Sequence, residues 1–393
     1  MTKGLCILGS TGSVGQNSLR VARNLSGRFR VVSLAAGRNL DLLANQIRDF
    51  EPQLVSVGSA DGVDALRERL SDSGYRRPVR IVAETAGHVE AATLPEVDFV
   101  ISSFRGVTGL QATYEAIRAG KQVGLANKEV LVVAGEVVSR AAAEHKVELL
   151  PIDSEHSALH QCLRAGRGPE VRRLILTASG GPFLRTPREE FDAVTPDLAL
   201  KHPIWRMGSR ITIDSATLFN KGLEVIEAHW LFGLPSSEIE VMIHPESVVH
   251  SMVEFRDGTV MAQLSVADMR LPIQYALTYP ERVALDGDIK ALDLLALGHL
   301  SFEKPDHRRF PCLDLARAAL EEGGAMPCAL NAADEIAVEA FLAQRLRFSG
   351  IPRVIEQVMR STPRLHFSTL DDVFECDCAA RERAREVVTE LSV

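Results

Sequence analysis

The sequence predicts an α/β protein: a parallel sheet first, a central α/β region with a mixed sheet next, and a small helical bundle last. Three observations carry this. Residues 1–150 alternate short apolar runs with helical segments, and parallel strands need such helical crossovers. Residues 248–264 form two alternating arms joined by Asp257-Gly258, a hairpin signal. From Leu313 onward only helical periodicity remains. The expected division is 1–150, 151–283, a connecting segment 284–311, and 312–393.

Composition narrows the class. A chain of 393 residues with 46% apolar and 24% charged side chains is an ordinary globular protein, large enough for roughly two or three domains. With 44 basic against 52 acidic side chains the net charge is -8, which argues against nucleic-acid binding by charge. Six cysteines, Cys6, Cys162, Cys312, Cys328, Cys376 and Cys378, show no zinc spacing and read as reduced thiols. No apolar run could span a bilayer, and Met1 leads straight into a strand-like stretch. A cytoplasmic protein without membrane contact is therefore expected.

In the first region Leu5–Leu8 is a wholly apolar run of the kind buried on both faces of a parallel sheet. Gly9, Gly12 and Gly15 follow, with Ser10, Thr11 and Ser13 between them, then a helix over 16–24 and a strand over 30–35. Strand, glycine turn, helix and strand in that order make a Rossmann-like dinucleotide fold, with GxxGxxG spacing as a variant fingerprint. At the end of the second strand Ala36, Gly37, Arg38 and Asn39 replace the usual acid. A guanidinium there suits a 2′-phosphate, so NADP is preferred over NAD; a merely solvent-exposed Arg38 is the alternative.

The alternation continues with helices over 40–49, 62–70, 110–119 and 131–145. Strands are expected at 54–57, 81–82, 99–101, 122–125 and 147–150. Asn127, Lys128 and Glu129 stand at a strand's carboxyl edge, where ligands are met, although Lys128 could equally open a helix capped by Asn127. Then comes LLPIDSEHSALHQ, 149–161. Asp153 and Glu155 flank a helix start and offer oxygen ligands to a divalent cation; a cap and a solvent-facing acid are the alternative.

In the middle, Ser179, Gly180 and Gly181 form an anion nest or an ordinary turn. The run KHPIWRMG, 201–208, puts His202 and Trp205 in a closing loop or makes the tryptophan an anchor. Arg210–Ile213 reads as a strand, with Asp214, Ser215 and Thr217 preceding a helix. Asn220, Lys221 and Glu224 are near neighbours on that helix, fit for phosphate and a third carboxylate or for a surface ion pair. His250 lies in strand alternation and reads as packed. Asn331, Asp334 and Glu335 in the final bundle read as structural.

The motifs GSTGSVG at 9–15, GLANKE at 124–129, PIDSEHSA at 151–158, TASGGPF at 177–183, KHPIWRMG at 201–208, DSATLFNKGLE at 214–224, HPESVVHSMVEF at 244–255 and ALNAADEIAVEAF at 329–341 resemble the 1-deoxy-D-xylulose 5-phosphate reductoisomerase family across nearly the whole chain. The resemblance implies a homodimer that uses NADPH and one divalent cation per subunit, Mg2+ or Mn2+. The implied reaction turns the ketose phosphate into 2-C-methyl-D-erythritol 4-phosphate, in non-mevalonate isoprenoid synthesis.

By motif position the resemblance makes Asp153, Glu155 and Glu224 metal ligands. Ser154 holds a substrate hydroxyl, and Ser179, Ser215, Asn220 and Lys221 hold the phosphate. His202 and Trp205 belong to the closing loop, and Lys128 contacts substrate. Thr11, Gly12, Ser13, Val14, Gly37, Arg38, Asn39, Asn127, Lys128, Glu129 and Gly208 meet NADPH. Lys128, Glu155 and His202 are the side chains considered for catalysis. The chain departs from the family pattern at Ser102-Ser103-Phe104-Arg105, at Val130 and at Ser265-Val266-Ala267. A dehydrogenase of the acyl-phosphate type would need a catalytic cysteine, yet Cys162 sits in an apolar helix pattern; a scaffold with a dead site would lack an acid, yet all three are present.

Overall fold

The structure, a computed structural model, describes residues 2–201, 204–205, 208–284 and 289–392. The chain divides into two compact units, Met1–Val130 with Val138–Ser157 and Asp268–Ile289, and Leu131–Val137 with Ala158–Ala267 and Lys290–Val393.

The first unit is a seven-stranded parallel sheet in the order β4-β3-β2-β1-β5-β6-β7. The strands are β1 (Lys3–Leu8), β2 (Phe29–Ala35), β3 (Leu54–Val57), β4 (Arg80–Ala83), β5 (Phe99–Ser102), β6 (Gln122–Leu125) and β7 (Leu149–Pro151). Leu5 and Ile7 of β1 enter one apolar cluster, and Cys6 and Leu8 enter the other, all fully buried. A strand covered on both faces has to be apolar at every position, which is why β1 shows no alternation. Each such leucine or isoleucine contributes about 1.5–3 kcal/mol of burial. Strand order reverses at β1, which pairs with β2 on one side and β5 on the other. That reversal opens a crevice at the carboxyl ends of the strands.

The Arg270–Thr278 helix adds Ile273, Ala276 and Leu277 to the cluster that contains Leu19 and Leu43. This apolar face draws Asp268–Ile289 into the first unit, although in sequence it closes the expected 151–283 segment. The Glu84–Thr93 helix was not foreseen. Its run of alanine, glycine and threonine lacks the large apolar stripe that betrays a helix.

The second unit holds a four-stranded mixed sheet, β11-β10-β8-β9, of β8 (Val171–Ala178), β9 (Ile239–Ile243), β10 (Val249–Phe255) and β11 (Val260–Leu264). β8 and β9 are parallel, and β10 is antiparallel to β8 and β11. Gly258, at φ +87°, makes the β10–β11 turn. The Phe219–Phe232 helix lays Val225 and Ala228 on Leu174, Leu176 and Ile239. The connecting segment is tied to this sheet. Glu303 pairs antiparallel with Ile243, and Arg309 donates to the Leu184 and Thr186 carbonyls at 2.8 Å. The bundle follows as Cys312–Glu322, Met326–Leu342, Ile351–Ser361 and Leu370–Leu391, the last opened by a Thr369/Asp372 capping box.

One reading is corrected. Arg210–Ile213 is not a strand; it lies in the Ser209–Ala216 helix. The β-branched Ile211, Thr212 and Ile213 suggested a strand, but Gly208 opens a helix and Thr212, Ile213 and Ala216 bury one helical face. Asp214 and Ser215 therefore end one helix, and Leu218, left-handed at φ +59°, separates it from the next. Among the described residues no helix is long and apolar enough to cross a membrane.

Candidate active site

In the first unit the glycine turn leads from β1 into the Ser13–Asn24 helix. Gly9 is left-handed at φ +88°, and a Cβ there would meet the Ser103 carbonyl at 2.6 Å. A Cβ on Gly15 would sit 2.3 Å from the Gly9 carbonyl. The backbone is thus folded as tightly as side chains would forbid. Gly12 stands at the helix N-cap with no side chain to cap it, so the helix start is open to an anion. Ser13 is exposed, and Thr11 and Val14 are half-buried beside it. At the end of β2, Gly37, Arg38 and Asn39 are exposed. Asn39 accepts the Leu42 amide at 3.1 Å and caps its own helix. Asn127, buried at the end of β6, donates to the Gly106 carbonyl at 2.9 Å and ties two loops of the crevice together. Phe104, one of the departures, packs on His88 at 4.7 Å between ring centroids. His88 bonds Ser56 at 2.7 Å, and burial holds its pKa below the usual histidine value.

The β7 strand delivers Asp153 to the start of the Ser154–Leu163 helix. The Ser157 amide bonds the Asp153 carbonyl at 2.8 Å, so Asp153 does occupy the capping position. Its carboxylate, however, pairs with Lys128, which is 6% exposed. His156, fully buried, has Nδ1 3.9 Å from the same carboxylate. Ser154 donates from Oγ to Glu155. A lysine and an aspartate withdrawn from water together attract each other more strongly than an exposed pair, although the cost of desolvating both charges offsets that gain.

In the second unit β8 ends at Ala178; Ser179 follows it, and then Gly180 and Gly181 with φ of +85° and +67°. The Gly181 amide reaches Ser179 Oγ at 3.3 Å, and a Cβ on Gly181 would lie 2.7 Å from the Ser215 carbonyl. The Ser179 turn therefore rests on the end of the Ser209–Ala216 helix. One turn into the next helix Glu224 accepts Asn220 Nδ2 at 2.6 Å on one oxygen and the Lys221 ammonium on the other. Lys221 and Glu224 are 3% and 1% exposed, which removes the surface-pair reading. Gly208 caps the Ser209–Ala216 helix, and the Trp205 ring is 6.3 Å from that of His250. His202 lies outside the described residues. Cys162 is 5% exposed within the apolar cluster, in keeping with a structural thiol. Arg210, Asp214, Asn331, Asp334 and Glu335 form a charged cluster that sequence reasoning missed. Only the i,i+4 spacing of Arg210 and Asp214 hinted at it.

A glycine-turn nucleotide fold in one unit and buried lysine–carboxylate pairs in both define a nucleotide-dependent enzyme for a charged, oxygen-rich substrate. Residues 5–135 match the family model described as 1-deoxy-D-xylulose 5-phosphate reductoisomerase; 149–232 and 264–383 match the models of C-terminal domains of that enzyme. The chain is 52% identical over 382 residues to the 1-deoxy-D-xylulose 5-phosphate reductoisomerase of Prosthecochloris aestuarii, covering 97% of this chain and 98% of that one. Its fold is similar to that of the Zymomonas mobilis enzyme in complex with NADPH, at 40% identity, TM-score 0.92 and 99% coverage of both chains. It is also similar to a reductoisomerase in complex with NADPH, fosmidomycin and magnesium, at 38% identity, TM-score 0.91 and 98% coverage of both. The chain belongs to the 1-deoxy-D-xylulose 5-phosphate reductoisomerase family.

Proposed function

We propose that this chain converts 1-deoxy-D-xylulose 5-phosphate to 2-C-methyl-D-erythritol 4-phosphate in non-mevalonate isoprenoid synthesis, using NADPH and one Mg2+ or Mn2+ per subunit. The observation that carries this is the near full-length match to reductoisomerases. Carbon–carbon cleavage and re-joining, retro-aldol then aldol, precede reduction. When bound, the cation supplies Lewis acidity to substrate oxygens and NADPH supplies the hydride.

Asp153, Glu155 and Glu224 are assigned to the cation, whose hardness suits an all-carboxylate donor set. Lys128 and Lys221 orient two of these acids by direct pairing. Ser154 holds a substrate hydroxyl, with Lys128 beside it. Ser179, Ser215, Asn220 and Lys221 take the phosphate, for which a buried ammonium and hydroxyl and amide donors are apt. Thr11, Gly12, Ser13 and Val14 receive the pyrophosphate at the open helix start, and Gly37, Arg38 and Asn39 the 2′-phosphate. Asn127, Glu129 and Gly208 meet the rest of NADPH. His202 and Trp205 close over the substrate and exclude water. Proton movement falls to Lys128, Glu155 or His202.

The proposed division of labour is NADPH binding by 1–150, catalysis and dimerisation by 151–283, connection by 284–311 and bundle formation by 312–393. Homodimerisation finds support in β11, an edge strand with Val260 and Met261 exposed. A cytoplasmic location finds support in the free thiols.

The test is product analysis. Incubation with NADPH, Mg2+ and the ketose phosphate should yield the branched polyol phosphate by NMR, one per NADPH oxidised. An unbranched product, or none, overturns the proposal.

A further inference from the structure

The Ser209–Ala216 helix has eight residues, too few to be stable by itself, and charged side chains hold it in place. Arg210 donates from Nη1 to Glu335 Oε1 at 2.6 Å and from Nη2 to Asn331 Oδ1 at 2.9 Å, both on the Met326–Leu342 helix. Its Nη2 lies 3.7 Å from Asp334 Oδ2, and its Nε lies 3.5 Å from Asp214 Oδ2, one turn along its own helix. Glu335 accepts Arg381 Nη2 at 2.6 Å on its other oxygen, and Arg381 forks onto Asp377 of the last helix.

Asp334 is fully buried and Asp214 is 3% exposed. Burial first, and then the Asp214 carboxylate, push the Asp334 carboxyl well above the usual range; Arg210 opposes the shift. Burial and the neighbouring acid thus favour the protonated form of Asp334. Replacing a buried charge network by apolar packing is often neutral or stabilising, so stability alone does not call for one here. What the charges supply is a single register, because an arginine fork, an amide and an acid pair fit together in one way only.

That register matters for the end of the helix. Ser215 follows Asp214 directly, and Gly181 packs on the Ser215 carbonyl so closely that a Cβ would not fit. Displacing the helix therefore displaces both Ser215 and the Ser179 turn. We infer that Arg210, backed by the Asp214–Asp334 pair, is a positioning residue that sets Ser215 and Ser179 for the substrate's phosphate. The inference rests on the phosphate roles proposed above. It gives the Met326–Leu342 helix a part in substrate binding, although none of its side chains is assigned to the substrate.

The experiment uses the full chain and its Arg210→Met and Arg210→Lys variants. It measures KM for the ketose phosphate, KM for NADPH, and binding of inorganic phosphate by thermal shift. Arg210→Met should raise the ketose phosphate KM and weaken phosphate binding about tenfold, as loss of charge-assisted hydrogen bonds implies, with KM for NADPH unchanged. Arg210→Lys keeps the charge without the fork and should restore only part of the loss. A purely structural role would lower the thermal midpoint without separating the two KM values. Unchanged ketose phosphate KM and phosphate binding, or an equal loss toward NADPH, would overturn the inference. If Arg210→Met does not fold, Glu335→Gln must shift the same two quantities in the same direction by less; no shift overturns it. A wild type that binds phosphate but does not turn over the ketose phosphate would sink the proposed function, and the phosphate comparison would still decide this inference. A wild type that does neither overturns both.

Discussion

The glycine turn after β1 and the pair of helices around Leu218 are both assigned to phosphate in the proposed function, yet they are made in opposite ways. The turn is backbone packed on backbone: Gly15 against the Gly9 carbonyl, Gly9 against the Ser103 carbonyl. The helix pair is side chain on side chain. Arg210 is held by Asn331 and Glu335, 121 and 125 residues away, and Glu224 by Asn220 and Lys221. The first arrangement is vulnerable to added atoms and the second to altered charge. Substitutions should separate the two accordingly.

The largest effect is expected at Glu224. Glu224→Gln keeps the shape and removes the charge, so turnover should fall about a hundredfold or more while NADPH binding survives. A fluorescence titration showing an equal loss of NADPH affinity would erase the distinction between the two regions. Gly15→Ala is the converse. Its Cβ meets the Gly9 carbonyl, and overpacking strain of about 1–3 kcal/mol should weaken NADPH roughly tenfold or more while phosphate binding is spared. Calorimetry finding NADPH binding intact would mean that the turn yields more easily than its packing implies.

Arg38→Gln sharpens the comparison within the nucleotide half, where a charged side chain is assigned to the 2′-phosphate. The preference for NADPH over NADH should drop about tenfold, seen as a raised KM for NADPH alone. Equal changes for both nucleotides would remove Arg38 from that role.

The smallest effect concerns stability. The Asp334 carboxyl, raised by burial and by Asp214, keeps its proton in the folded chain where the unfolded chain has lost it. The stability this contributes is fully present below the ordinary aspartate value, about pH 4, and is lost as pH rises through the folded value. The slope is at most about 1.4 kcal/mol per pH unit for one proton. Asp334→Asn removes the titration, so the advantage of wild type over variant should shrink as pH rises from about 4. A difference in melting midpoint that ignores pH would contradict the acid-pair account.

The same contrast explains what the sequence disclosed. The parallel sheet, its glycine turn and the hairpin were legible because apolar runs, glycine spacing and Asp-Gly turns act locally. So was the terminal bundle, whose Ile351, Val354, Ile355 and Val358 recur at helical spacing and are buried. Arg210–Ile213 was misread because β-branched residues favour strands in isolation, and the anchoring partners lie in a distant helix. The proximity of Lys128 to Asp153 was likewise invisible, since adjacent parallel strands β6 and β7 bring the two together across a helical crossover. The acids in the motif were plain, but not which cation each one faces.

The most direct test of the whole account is the metal dependence of turnover. NADPH consumption in the presence of 1-deoxy-D-xylulose 5-phosphate should stop on addition of EDTA and return with excess Mg2+ or Mn2+, while NADPH binding continues throughout. Oxidation of NADPH that proceeds undiminished in EDTA would contradict the assignment of Asp153, Glu155 and Glu224.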